Sequence, residues 1–409
     1  MIDGKTVEQI LNEKHPAPAP ANHKYVSQEN NSLPYHPSIF DQINANKVRK
    51  TAMRISGSHG PSGLDSQEWR RILTIFGQPS TDLCKTIAKI TKRIATENLP
   101  DEQLEAFNAC RLIPLDKNPG VRPIGVGEVF RRIVGKILIR CVSYDLIQLG
   151  LDKQLCLGQK GGIEYAIHSL RSAYEDKNNE AMLLIDADNA FNSLNRELAL
   201  KNVEVLCPSL ATALKNSYSR PPALFVNGKK LLSREGTTQG DPLAMAMYGI
   251  AILPLIKLID NENLCQKWFA DDGNAVSKLD QLRIVLENVI KHGKHFGYHA
   301  KPSKCKLIVK NGLEEKAKKV FKGLNVEIVG GSRVLGSVIG SEEDCKQYQE
   351  KKTKEFEDLC NKLTNLAKHS PQNVYSCFTK DVQDKLSFLY RTTPDMENMR
   401  GKIKDLIKN

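Results

Sequence analysis

Phe269-Ala270-Asp271-Asp272-Gly273-Asn274 sets two adjacent carboxylates in a tight turn between short apolar runs, 266–270 and 274–276. Upstream, Leu183-Leu184-Ile185-Asp186 ends a buried-type strand on a third carboxylate. A carboxylate closing an apolar strand is costly unless something cationic compensates it, and a divalent metal is the economical compensation. Hard oxygen ligands suit Mg²⁺, which keeps waters and binds one or two carboxylates together with substrate phosphates. Two such ions roughly 3.5–4 Å apart stabilise both the attacking and the leaving oxygen of a phosphoryl transfer. Neighbouring strand residues face opposite sides, so Asp271 and Asp272 both serve as ligands only if the turn rotates one of them.

Working outward, Arg111–Leu115 and Val121–Ile124 read as a hairpin across Asp116-Lys117-Asn118-Pro119-Gly120, where Pro-Gly is strong turn chemistry. Helical patterning is expected at about 66–77, 80–98, 128–148, 162–176, 193–206, 241–260 and 279–296. Ala223–Leu231 resembles a hairpin around Asn227-Gly228, and 305–309 is a further strand. Residues 1–60 are polar and turn-rich, with Pro-Ala-Pro-Ala-Pro at 16–20, and read as a tail or linker carrying one helix near 38–54. From about 343 the chain is Lys-rich and helical.

Composition bounds the function. The 409 residues are 40% hydrophobic, enough for a sizeable core, which excludes wholesale disorder. A net charge of +12 points to polyanionic partners, nucleic acid or an acidic membrane surface. Met1-Ile2-Asp3-Gly4-Lys5 shows no secretory pattern. The longest apolar stretch, 242–256, is interrupted by Gly249 and Pro254 and falls short of the roughly 20 residues of a spanning helix. A soluble intracellular protein without a membrane partner is expected. Ten scattered Cys form no CxxC pair and read as reduced thiols. His292, His295, His299 and Cys305 are interrupted by Gly293 and Gly297, and a solvated connection is preferred there over a metal site.

The acidic segments belong to an ordered series. Ile185-Asp186-Ala187-Asp188-Asn189-Ala190-Phe191-Asn192, then Gly236-Thr237-Thr238-Gln239-Gly240-Asp241-Pro242-Leu243, then Phe269-Ala270-Asp271-Asp272 resemble motifs A, B and C of reverse transcriptases, and more closely those of non-LTR and related eukaryotic retroelements. The 111–124 hairpin is similar to the fingers motifs, Gly158–Gly162 to the segment before the palm, Gly297–Cys305 to motif D and Val334-Leu335-Gly336 to the primer grip.

This resemblance implies an α+β right-hand polymerase with fingers at 61–180, palm at 181–340 and a short, incomplete thumb at 341–409. It implies an RNA-directed DNA polymerase of retrotransposon type, using dNTPs and an RNA or DNA template with primer. Asp186, Asp271 and Asp272 would hold two Mg²⁺ ions, replaceable by Mn²⁺. Phe191 would be the steric gate against a 2′-hydroxyl. Gln239 and Gly240 would contact nucleotide and template, while Lys117, Arg122 and Arg111 would cap the triphosphate. Lys304 would donate a proton to pyrophosphate or contact its phosphates. Three positions depart from the commoner pattern: Asn192, where an Asp often follows the aromatic, Phe269 in place of Tyr, and Asp241 where a small or uncharged residue is frequent.

Arg132, Lys136 and Arg140 recur at i, i+4 and i+8, so on a helix they share one face suited to tracking phosphates. The nine lysines between Lys291 and Lys319 form a second basic region expected to meet template and primer. An RNA-directed RNA polymerase shares the metal chemistry, but Phe191 and Ala270 argue against it. An inactive nucleic-acid-binding remnant is the alternative from another class, opposed by the intact Asp triad.

Overall fold

The computed structural model describes residues 4–28, 36–117, 120–394, 396 and 401. Strands β1 (Cys110–Asp116) and β2 (Val121–Gly127) form the expected hairpin, with Cys110 opposite Gly127 and Asp116 opposite Val121. Asn118 and Pro119 of its turn lie outside the described residues. β3 (Ala181–Ile185) is the apolar strand that runs into Asp186. β4 (Ala223–Val226) and β5 (Lys229–Leu232) meet at Asn227-Gly228, both at positive φ (46° and 75°), as a type I′ turn requires. β6 (Cys265–Phe269) and β7 (Asp272–Ser277) flank the acidic turn. β8 (Lys306–Val309), β9 (Glu327–Val329), β10 (Gly331–Val334) and β11 (Ser337–Gly340) complete the set among the described residues.

The fold is α+β. A five-stranded sheet has the order β6-β7-β3-β8-β9, with β3 antiparallel to both neighbours, and a four-stranded sheet has the order β2-β1-β4-β5. Central β3 is covered on both faces, which explains its unbroken apolar run. Ala181, Leu183 and Ile185 join the main core with helix Leu279–Gly293 and helix Ala244–Leu258. Met182 packs on the other side with Ala166, Leu170 and Tyr174 of helix Gly162–Glu175 and with Val334 and Ile339 of the β10–β11 hairpin. The last helices, from Glu342 to Thr392, bury Phe356, Val382, Leu386 and Leu389 in a small core of their own.

Three expectations need correction. The segment read as one helix over 128–148 is two, Val129–Cys141 and Ser143–Gly150, broken where Val142 leaves helical geometry (φ −98°, ψ 11°). Helices Asp101–Asn108 and Pro208–Tyr218 were not expected. Nor are the described parts of 1–60 a free tail: Leu11, Phe40, Ile43, Val48 and Ile55 are buried. The polar composition of this stretch concealed a few well-spaced apolar anchors, and its helix Val7–Glu13 starts with a capping box at Thr6.

Two buried arginines tie the halves together. Arg131 donates from Nε to Asp241 Oδ2 (3.1 Å) and from Nη2 to the same oxygen, while Tyr218 Oη donates to it at 2.7 Å. The other carboxylate oxygen accepts from Leu243 N (2.9 Å). Arg196 is wrapped by the carbonyls of Ser233, Glu235 and Gly236 at 2.6–2.9 Å. The loop 233–243 is thereby held at both ends. Asp241, which departs from the commoner motif, is the acceptor that matches Arg131.

Removing one partner of a buried ion pair leaves the other charge uncompensated and costs about 3–5 kcal/mol. Asp241→Ala is expected to lower the unfolding free energy by that order in denaturant titrations, and a joint Arg131→Met, Asp241→Leu replacement by much less. A loss under about 1 kcal/mol for Asp241→Ala would show that the pair is not a structural keystone.

Candidate active site

The β3–β7 register opposes Ile185 to Gly273, so Asp186 leaves the sheet beside Asp272. Both open, with Asp271, on one cleft of about 820 Å³. Lys117 and Arg122 from the β1–β2 hairpin, Phe191, Gln239, Gly240 and Lys304 line the same cleft. Among the described residues no three acidic, His or Cys side chains stand together as a ready-made metal cage. Asp271 and Asp272 nevertheless feel the charges around them. Burial, then the charges of Asp271 and Asp186, push the Asp272 carboxyl up to about 6. Burial also raises Asp271, helped by Asp186, against an opposing backbone hydrogen bond and the charges of Arg122 and Lys117. Hard oxygen donors whose ionised forms are destabilised by crowding fit a divalent cation that retains waters and takes further ligands from a substrate.

The acidic turn is strained and clamped. Ala270 has φ 55°, a left-handed conformation that costs a non-glycine residue about 1–2 kcal/mol. Buried Gln154 grips it from both sides, accepting from Ala270 N (3.0 Å) and donating to Ala270 O (3.1 Å). Its neighbours extend the sheet, Trp268 N donating to Lys153 O (2.6 Å) and Leu155 N to Trp268 O (2.9 Å). Tyr298 Oη donates to Asp271 O (2.9 Å) on the opposite side. Gln154 escaped the sequence reading because an amide that matches a backbone N–H and C=O leaves no periodic or charge signature.

Phe191 is fixed through ring and backbone. Its ring stacks on buried Tyr248 (centroids 4.5 Å, 20°), and its carbonyl accepts from Thr237 N at 2.7 Å. The Gln239-Gly240 turn meets the hairpin directly: Gly125 N donates to Gln239 O (2.8 Å), and a Cβ on Gly240 (φ 108°) would lie 2.5 Å from Gly125 O. Only glycine fits that crossing. Lys304 pairs with Asp188 (2.9 Å) and lies 3.9 Å from Asp186, and the Asp188 hydrogen bond raises its pKa.

One expected nucleotide contact lies outside the cleft, and the basic helix face is partly engaged by the protein itself. Arg111 donates to Ser58 Oγ (3.2 Å) and does not line the cleft. Arg132 is occupied by the carbonyls of Ser56 (2.9 Å) and Ser58, and Arg140 by Thr51 Oγ1 (3.0 Å). The face they share with exposed Lys136 therefore abuts helix Ala45–Arg54 and its following loop, because the stretch read as a tail packs there. His292 meets Tyr25 Oη (2.9 Å) and His295 stacks on the same ring, so this His-containing stretch packs against the N-terminal segment. All ten Cys are free thiols.

Residues 115–356, more than half of the chain and the whole span of the cleft motifs, match the family model described as reverse transcriptase (RNA-dependent DNA polymerase). The chain belongs to this reverse transcriptase family. Among solved structures, this reverse transcriptase family member is similar to apo telomerase from Candida tropicalis truncated from its C-terminal domain, with 14% identity and a TM-score of 0.41. The alignment covers 50% of this chain and spans 51% of that one. No curated protein sequence matches. Among the described residues no helix is long and apolar enough to cross a membrane.

Two outcomes test this geometry. The folded Asp272 carboxyl titrates above the ordinary 3.8, so the folded state holds its proton more tightly than the unfolded state does. Stability of the metal-free protein is then full below about pH 4 and declines as pH rises through about 6. With chelator present, Asp272→Asn should add about 1 kcal/mol at pH 7, a figure discounted for solvent screening, and nothing at pH 4; equal melting curves at pH 7 would reject the electrostatic crowding. Gln154→Leu should speed amide hydrogen exchange in residues 265–277 by about tenfold or more, since a buried N–H left unpaired costs about 1–3 kcal/mol. Unchanged exchange would show that the turn holds itself.

Proposed function

We propose that the chain is an RNA-directed DNA polymerase that extends a primer with deoxynucleotides. One observation carries this: three aspartates of two neighbouring strands share a cleft with Phe191, Gln239, Gly240 and the hairpin cations Lys117 and Arg122. In this reading Asp186, Asp271 and Asp272 would hold two Mg²⁺ or Mn²⁺ ions. Bound there, such ions neutralise charge on the phosphates and lower the pKa of a coordinated hydroxyl. The primer 3′-hydroxyl gives up its proton to solvent and attacks the α-phosphate, and the bond from the α-phosphorus to the β-phosphate oxygen breaks to release pyrophosphate.

The chain's own residues bind and orient. Lys117 and Arg122 reach over the carboxylate floor from the hairpin and neutralise the triphosphate; positioning and electrostatics supply most of the rate in such transfers. Lys304, kept protonated by Asp188, stands beside Asp186 as a further cation for the leaving phosphates. Phe191 cannot recede, because Tyr248 backs its ring and Thr237 holds its carbonyl. A ring fixed in this way excludes a 2′-hydroxyl and favours deoxynucleotides. Gln239 and Gly240 lie against the hairpin and contact the nascent base pair.

On this assignment residues 61–180 act as fingers, 181–340 as palm and the helices after 341 as a short thumb. The template-primer duplex lies over the palm. The motif series also supports a retroelement origin.

Primer extension on poly(rA)/oligo(dT) with Mg²⁺ tests the proposal. Asp271→Ala should reduce incorporation by roughly 10²–10³-fold, the scale of losing one transition-state charge stabiliser. Equal incorporation by wild type and variant, or none by wild type, would sink the polymerase assignment and favour a nucleic-acid-binding remnant. Phe191→Ala should raise ribonucleotide use relative to deoxynucleotide, and unaltered selectivity would reject the gate.

A further inference from the structure

The segment read as a tail crosses the cleft. Helix Val7–Glu13 seats fully buried Leu11 among Cys110, Leu112, Val121 and Leu224 of the four-stranded sheet, and Glu8 pairs with Lys229 at 2.8 Å. Further along, Asn195 Nδ2 donates to Ala19 O (2.9 Å), Ala21 N to Glu197 Oε2 (3.2 Å) and Ser27 N to Asn202 Oδ1 (2.8 Å), so the chain is also fastened to helix Arg196–Leu206. Between these two anchorages lies Lys14. Its carbonyl accepts from Asn189 Nδ2 (2.9 Å) and Asn192 Nδ2 (3.1 Å), both in the turn that follows Asp186.

These contacts account for two details of the sequence. Asn192 donates to a carbonyl, which the Asp more often found there could not do when ionised. Asn189 adopts φ 51°, a conformation that asparagine tolerates better than most residues. The turn is built to hold the Lys14 backbone. With its main chain fixed, the Lys14 side chain opens into the cleft together with Lys117, Arg122 and Lys304. Lys304 is already paired with Asp188, whereas among the described residues no carboxylate lies within ion-pairing distance of Lys14. A phosphate entering the cleft would therefore find in Lys14 an ammonium that it need not win from an existing ion pair.

We propose that Lys14, carried across the cleft by the N-terminal segment, binds the phosphates of the incoming nucleotide. The inference rests on the polymerase reading for the identity of the ligand. It adds a triphosphate contact from outside the 115–356 family match, on a segment held both by the hairpin sheet and by helix Arg196–Leu206.

The test uses the full-length chain and the side chain alone, since the carbonyl contacts survive substitution. At saturating template-primer, Lys14→Ala should raise KM for dTTP about tenfold, the loss of one charge-assisted contact of about 1.4 kcal/mol. The Kd for template-primer and the melting midpoint should stay at wild-type values, and Lys14→Arg should recover most of the affinity. A KM within twofold of wild type would overturn the proposal. So would a rise in template-primer Kd that accounts for the whole defect, which would assign Lys14 to the nucleic acid. Calorimetric titration of dTTP with Mg²⁺ separates the two readings. If wild type fails to extend primers, the polymerase assignment falls, and the Lys14 proposal is then decided by whether Lys14→Ala weakens dTTP binding about tenfold or leaves it unchanged.

Discussion

The buried Arg131–Asp241–Tyr218 cluster is the constraint from which the cleft follows. Its arginine comes from the helix after the hairpin, its carboxylate from the loop that carries Gln239 and Gly240, and its hydroxyl from helix Pro208–Tyr218. Charges taken out of water hold only when geometry satisfies them, so three separate stretches of chain must arrive in register. Once they do, Gly125 and Gly240 are pressed together and the hairpin cations face the aspartates. Arg196 repeats the device a few residues earlier, fastening 233–236 close to the Phe191 turn. Both arginines also lie over the Tyr218 ring (5.8 and 5.5 Å), which makes that tyrosine the common wall of the two anchors.

Much of the architecture is legible in local pattern. The β3 run, the Asn-Gly turn and the acidic turn each carry their own chemistry, and the cleft collects the expected Asp186, Phe191, Gln239, Gly240, Asp271, Asp272, Lys304, Lys117 and Arg122. What stayed hidden depends on distant partners. Parallel pairing of β1 with β4 joins residues more than a hundred positions apart. The break at Val142 has no proline or glycine to announce it. Gln154 grips a backbone turn and Lys14 is placed by its own carbonyl, and backbone contacts are blind to composition.

Charge patterning is blind to distant partners for the same reason. Arg132 and Arg140 share a helical face as expected, yet both bond to protein groups there, while Lys136 stays exposed. The lysines after the acidic turn are likewise engaged nearby: Lys306 with Glu327 (3.1 Å), Lys316 with Glu180 (2.6 Å), Lys318 with Glu315 (2.6 Å), and Lys310 with the Asp176 carbonyl (2.6 Å). Exposed pairs of this kind contribute little stability and yield readily to a stronger anion. A count of basic residues therefore overstates the surface immediately open to a polyanion.

The N-terminal crossing has a mechanical side. Leu11 is locked into one sheet's core and the Ala19 carbonyl is hydrogen-bonded by Asn195 at the start of helix Arg196–Leu206, and the chain between them advances eight residues. Fully extended, such a segment reaches at most about 29 Å. It is a leash of fixed length, and however the two walls of the cleft move while both fastenings hold, the separation of those points has a ceiling written in covalent bonds.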